Sequence, residues 1–244
     1  LRGVGAKGFC AGGDVVSVIK ALNSADSLEE GTTFFEHEYR LDEDVQRFTK
    51  PLLALTHGVT MGGGVGVING ASHRIVSENS VLGMPEISIG FFPDVGAGRF
   101  FKQAPEGLGV FLGLTGAKLS AEDALYLGLA DDIIHEKDFP ALQKDLAKRI
   151  DLDEAILRYR QIPGPSQIER SLEELEPFLK CQDIEEFDEM ARAYKGDNQW
   201  IAESLKTYLK GSPLSAAVIF RYLKDGPLLG WRETFARELC MARE

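Results

Sequence analysis

"PLLALTHGVTMGGGVGVINGASHRIVSENSVLGMPE", residues 51–86, carries the alternation that decides the fold. Pro51 to Val59 is a short apolar run ended by glycine and reads as a buried strand. "GGGVGVINGASH" (Gly62 to His73) opens a helix of small residues, suited to close packing. His73 to Glu86 holds two short β-like runs around the polar turn Glu78–Ser80. Further on, Ser120-x-x-Asp123 is a capping box that leads into an apolar helical face and then a strand ending at Ile134. Strands that alternate with helices in this way predict an α/β fold with helices packed on sheets.

Away from this stretch the character changes at "QIPGPSQIE" (Gln161 to Glu169), where two prolines and a glycine mark a linker or sharp turn. Beyond it, "SLEELEPFLKC", "DIEEFDEMARAY", "NQWIAESLKTYLKG" and "LSAAVIFRYLKDG" place apolar residues at helical spacing. The expected organisation is an α/β core over residues 1–160 and a C-terminal helical region over 161–244, with no repeat of fixed period.

The 244 residues carry a net charge of −11, which argues against general nucleic-acid binding but leaves room for a phosphate-bearing small molecule. No apolar run approaches the roughly 20 residues of a membrane span. Cys10, Cys181 and Cys240 are odd in number and far apart, so neither a disulfide framework nor a zinc knuckle is expected. The four histidines show no ligand spacing, and no metal is expected. A reduced intracellular setting is expected from the cysteines. The opening "LRGVGAKGFC" has neither Met nor leader and reads as the end of a strand, with strands expected before it.

Several stretches could carry chemistry. "GVGAKG" (Gly3 to Gly8) has the spacing of a dinucleotide fingerprint, but "FCAGGD" follows where that motif needs a helix. In "FCAGGD" (Phe9 to Asp14), Gly12 and Gly13 let a carbonyl or anion approach the backbone, although taken alone they read first as a tight turn before the helix "DVVSVIKAL". Cys10 reads as packing rather than as a nucleophile. "MGGGVG" (Met61 to Gly66) offers free N–H groups at a helix start, or else close helix packing. "MPEISIGFFPDVGAG" (Met84 to Gly98) sets Glu86 and Asp94 in an apolar run, where burial raises a carboxyl pKa toward working pH. Asp94 could instead cap the helix "VGAGRFF". Glu86, placed at a strand end after Pro85, has no such alternative. Glu38 lies on the helix "FFEHEYRL".

In this order, these pieces resemble the crotonase (enoyl-CoA hydratase/isomerase) superfamily, over Gly3 to about Ile134. The resemblance implies a spiral of ββα units with C-terminal helices. It also implies an oxyanion hole for an acyl-CoA thioester, made by the N–H groups of Ala11 and Gly63, with Gly13 and Gly62 beside the substrate. Hydratases of the family carry "GGGxE", and here that glutamate position is Gly66. "MPEISIGFFPDVGAG", "FFEHEYRL" and "THGVTMGGGVG" are similar to the 3-hydroxyisobutyryl-CoA hydrolase branch. What this implies is hydrolysis of a short 3-hydroxyacyl-CoA, as in valine breakdown, with Glu86 as nucleophile or base. Asp94 would bind the substrate hydroxyl or donate a proton to the thiolate, and Glu38 would orient the substrate or Asp94. Coenzyme A enters as part of the substrate, no separate cofactor is implied, and a homo-oligomer is compatible with the family. An enoyl-CoA hydratase or isomerase is the alternative, and a non-catalytic acyl-CoA-binding protein the third reading. Lys7 is a weaker candidate for a CoA phosphate contact.

Overall fold

The apolar run at Pro51–Val59 divides into two strands. β-Branched and aliphatic side chains extend it, but Gly58 adopts φ +53°, and a Cβ there would stand 2.5 Å from the Lys7 carbonyl oxygen. At this point the chain steps from one sheet to another, so the single expected strand is corrected to a pair. A computed structural model describes residues 1–22, 28–105 and 107–243.

In chain order the first half contains β1 (Gly8–Cys10), α1 (Val15–Leu22), α2 (Leu28–Gln46), β2 (Leu53–Thr56), β3 (Val59–Met61), α3 (Gly63–Asn69), β4 (His73–Val76) and β5 (Val81–Gly83). There follow α4 (Ala97–Gln103), α5 (Leu108–Thr115), α6 (Ala121–Tyr126), β6 (Asp132–Ile133), α7 (Phe139–Ala147) and α8 (Leu152–Tyr159). The C-terminal part is helical: α9 (Gln167–Leu179), α10 (Ile184–Ala193), α11 (Gln199–Tyr208), α12 (Pro213–Phe220), a π-helical turn at Arg221–Asp225, and α13 (Trp231–Ala242).

Two parallel sheets result, ordered β1-β3-β5 and β2-β4-β6. Successive strands alternate between them: β2 pairs with β4 in register Leu53↔His73, and β3 pairs with β5 in register Val59↔Val81. Each β-β step followed by a helix is one turn of a ββα spiral, the crotonase architecture expected from the sequence. Strands buried on both faces read as continuous apolar runs rather than as alternation. Ala54, Leu55, Ile75, Val76 and Leu82 are accordingly buried.

Two local expectations change. Glu86 does not end a strand: β5 stops at Gly83, and Glu86 opens a 3-10 turn, Glu86–Ile89, behind Pro85. Proline supplies no N–H to a ladder and presets the turn. Part of the expected linker is also ordered helix. Ser166 caps α9, its hydroxyl accepting from Glu169 N–H while the Glu169 carboxylate accepts from Ser166 N–H. The capping box at Ser120 and Asp123 forms as expected, and the other Asp123 oxygen accepts from Ile168 N–H at 3.0 Å, tying α6 to α9. One apolar core joins the α/β elements to the C-terminal helices. Phe111 of α5 meets Phe178, Phe187 and Trp200, with centroids 5.9–6.2 Å apart. A smaller core under α7 and α8 encloses Leu55, Ile75, Phe139 and Leu142.

Candidate active site

The two glycine turns meet. A Cβ on Gly12, at φ +98°, would stand 3.3 Å from the Met61 carbonyl oxygen and 3.9 Å from Gly63 N. β1 and β3 are sheet neighbours, and α3 starts directly after β3, so its first amides face the turn after β1. Close packing therefore holds here, with Gly63 N beside the first glycine turn. Gly64 lies against the Cys10 carbonyl oxygen, where a Cβ would be 2.6 Å away, while the start of α3 opens on a cavity of about 630 Å³.

Ala11, Gly13, Gly62, Gly63, Glu38, Glu86 and Asp94 all line this cavity. Lys7 is exposed and lies outside its lining. The carboxylates sit where glycines leave room. A Cβ on Gly62, whose φ is +51°, would lie 2.8 Å from Glu86 Oε1, and one on Gly63 would collide with Glu38 Oε1. The aromatic wall is apolar: Phe35 stacks on Phe91 with centroids 5.2 Å apart, and Phe91 meets Phe92 at 4.5 Å. Helices α12 and α13 complete it with Leu214, Val218 and Met241.

Burial sets the electrostatics. Glu86 is 7% exposed, and its Oε2 has no hydrogen-bond partner. Burial first, and then the charge of Asp94, raises its pKa well above the carboxylate range. Asp94, 5% exposed, is raised only to about 6, because the Tyr39 hydroxyl donates to its Oδ2 at 2.6 Å and opposes the effect of burial. Glu38 is raised to about 7 by burial and by Asp94. Both carboxyls of the pair are thus raised by burial, and at Asp94 the Tyr39 hydrogen bond opposes that rise. Asp94 does not cap α4. The N-cap position is Gly96, and no side chain caps that helix.

Four residues of the site were not singled out in the sequence. Tyr39 fixes Asp94 from α2. Asp42, one turn after Glu38, is 2% exposed with both oxygens unpartnered, and burial raises its pKa to about 9. The (i, i+4) spacing of Glu38 and Asp42 was the available signal that they share a helical face. Val95 takes φ +49°, which for a β-branched residue stores about 1–3 kcal/mol of strain. Glu238 is fully buried on α13, accepting from Gly96 N–H at 2.8 Å, Gly98 N–H at 3.1 Å and the Tyr222 hydroxyl at 2.6 Å. Burial raises its pKa to about 8.

A sheet spiral with two amide-bearing glycine turns over buried carboxylates defines the crotonase class of protein. The enoyl-CoA hydratase/isomerase family profile matches residues 1–244, and the chain belongs to that family. It is 33% identical over 253 residues to a mitochondrial 3-hydroxyisobutyryl-CoA hydrolase of Xenopus tropicalis, covering all of this chain and 65% of the relative. It is also 33% identical over 265 residues to small ribosomal subunit protein mS47 of Neurospora crassa, covering 99% of this chain and 52% of the relative. Among solved structures, an enoyl-CoA hydratase from Rhodobacter sphaeroides 2.4.1 is similar at TM-score 0.86 and 33% identity, over 98% of this chain and 68% of that one. The chain therefore spans just under two thirds of the length of the hydrolase relative.

Proposed function

We propose that this protein hydrolyses a short-chain 3-hydroxyacyl-CoA thioester, with 3-hydroxyisobutyryl-CoA as the substrate that fits the reading best. The observation that carries it is the convergence of both glycine turns and three carboxylates on one cavity in which position 66 has no room for an acid. A Cβ on Gly66 would stand 2.5 Å from the Val95 Cβ. A second glutamate to hold a hydration water therefore has no place at position 66. The name of the frog relative supports the same reading.

In this mechanism the thioester carbonyl oxygen accepts from the N–H groups of Ala11 and Gly63. Charge develops on that oxygen as the carbonyl is attacked, and each fixed donor contributes roughly 3–4 kcal/mol to the transition state. Glu86 acts as its carboxylate. It either attacks the carbonyl carbon to give an anhydride that water then cleaves, or takes a proton from the attacking water. By either route one water is consumed, the C–S bond breaks, and the thiolate leaves with a proton as free CoA. Asp94, charged and already accepting from Tyr39, takes the hydrogen bond of the substrate 3-hydroxyl. Glu38 orients the substrate at the first glycine turn. The acidic site repels the carboxylate product once it forms, which favours release.

Isomerisation of an enoyl-CoA needs one base, which Glu86 also supplies, and the hydratase-named structure fits that alternative. A non-catalytic role of the same fold fits the ribosomal relative. The proposed compartment in a eukaryotic cell is the mitochondrion, and in a bacterium the cytoplasm. Among the described residues no helix is long and apolar enough to cross a membrane. The test is thiol release from 3-hydroxyisobutyryl-CoA by the whole protein beside its Glu86→Gln and Asp94→Asn variants. The expected result is release by the wild type and a fall of about 10²- to 10⁴-fold for Glu86→Gln. Equal release by all three would remove the carboxylates from the mechanism.

A further inference from the structure

Asp94 reaches the cavity from a turn that local hydrogen bonds hold only in part. The residue after it, Val95, is in the left-handed region at φ +49°, and Gly96 follows at φ +95°. Within the turn, Ala97 N–H donates to the Asp94 carbonyl at 2.9 Å. Tyr39 of α2 donates to the Asp94 carboxylate itself at 2.6 Å, and the backbone after it is held from the far end of the chain. The Glu238 carboxylate accepts from Gly96 N–H through Oε2 and from Gly98 N–H through Oε1, and Tyr222 donates to that same Oε1. Trp231 and Phe235 of α13 close over Gly96, where a Cβ would lie 2.8 Å from the indole. Arg99 of α4 stacks its guanidinium 5.2 Å from the Trp231 ring centroid and donates to the Leu229 carbonyl at 2.6 Å. Glu238 shares its helix with Met241 and Ala242, which line the cavity.

We infer that Glu238, seconded by Tyr222, is a positioning residue for the substrate hydroxyl: it clamps the strained Asp94–Gly98 turn from α13 and so fixes where the Asp94 carboxylate stands. Two parallel N–H···O bonds to one buried carboxylate define the orientation of both peptide planes, and the Tyr222 hydroxyl fixes the rotation of that carboxylate. An amide at position 238 can satisfy only one of the two N–H groups as an acceptor, because its nitrogen is a donor. The turn then has one free N–H beside a residue in a disfavoured conformation, and it relaxes. The role assigned to Asp94 here rests on the proposed thioester hydrolysis. The clamp itself does not.

The experiment compares wild type, Glu238→Gln and Tyr222→Phe as whole proteins on two esters, 3-hydroxyisobutyryl-CoA and isobutyryl-CoA, and follows amide exchange at Gly96 and Gly98. Glu238→Gln is expected to lower kcat/KM for the hydroxylated ester by about tenfold or more while changing that for isobutyryl-CoA by less than about threefold. Tyr222→Phe, which leaves the carboxylate in place, is expected to shift the same ratio in the same direction by about threefold. Exchange at Gly96 and Gly98 is expected to rise in both. Equal loss on the two esters would mean a merely structural carboxylate, and unchanged exchange would mean no clamp; either result overturns the inference. If wild type releases no thiol from either ester, the hydrolase reading fails and the exchange measurement still decides the clamp.

Discussion

At the scale of single residues, the glycines of "GGGVG" and the acids around them fix one another. Gly63→Ala drives a methyl group into the Glu38 carboxylate and beside the first glycine turn. The backbone N–H stays, but the clash displaces this proposed oxyanion donor, and a fall in kcat of about 10²- to 10³-fold is expected together with a lowered melting temperature, read by thiol release and calorimetry. Asp42 gives a prediction of the opposite kind. Its folded pKa of about 9 lies far above that of an unfolded aspartate near 4, so between these values the folded state holds a proton that the unfolded chain has released. Stability is fully present below about pH 4 and is lost as pH rises through that window. Asp42→Asn removes this dependence and is expected to stabilise the fold by about 1–3 kcal/mol at pH 8, with a smaller gain at pH 5, by urea denaturation. A variant no more stable at pH 8 than wild type would contradict the buried neutral acid. Glu86 must ionise to act, and its pKa is raised, so kcat/KM is expected to climb with pH from an acid limb above the ordinary carboxylate range. A limb near pH 4 would contradict that. Glu86, Asp94 and both turns were legible because a carboxylate or paired glycines in an apolar run stand out locally. Tyr39 and Glu238 were not, since they meet Asp94 and Gly96 across 55 and 142 residues, and only the folded chain joins such positions.

At the scale of elements, what the sequence made legible was alternation, and what it hid was where the chain changes sheet. The run Leu53–Met61 carries no Asp, Glu, Lys, Arg or Pro to mark a break, and it is at Gly58, with its positive φ, that the chain passes from β2 to β3. Three amphipathic stretches after Gln161 form α9 to α11, because a 3.6-residue apolar stripe needs no distant information to be read, while the stretch that forms α12 is apolar nearly all round. The cap at Ser166 was concealed by its setting among Gly164, Pro165 and Pro163, which read as a linker. Ser166→Ala is expected to lower stability by about 1 kcal/mol in urea denaturation, with kcat unchanged. A matching fall in kcat would place α9 in the site, contrary to this account.

At the scale of the whole molecule, the spiral brings β1, α2, α3 and the Asp94 turn to one side, and the C-terminal helices close that side. Helices α12 and α13 return to the cavity, so its lining joins Gly12 to Met241. The reaction proposed for this site is the breaking of a thioester rather than the addition of water to a double bond. Its most direct measurement presents the whole protein with 3-hydroxyisobutyryl-CoA and, in parallel, with crotonyl-CoA, following free thiol and loss of the conjugated enoyl absorbance. The account predicts saturable thiol release from the first and no hydration of the second. Hydration of crotonyl-CoA without thiol release from the hydroxyacyl ester would contradict it.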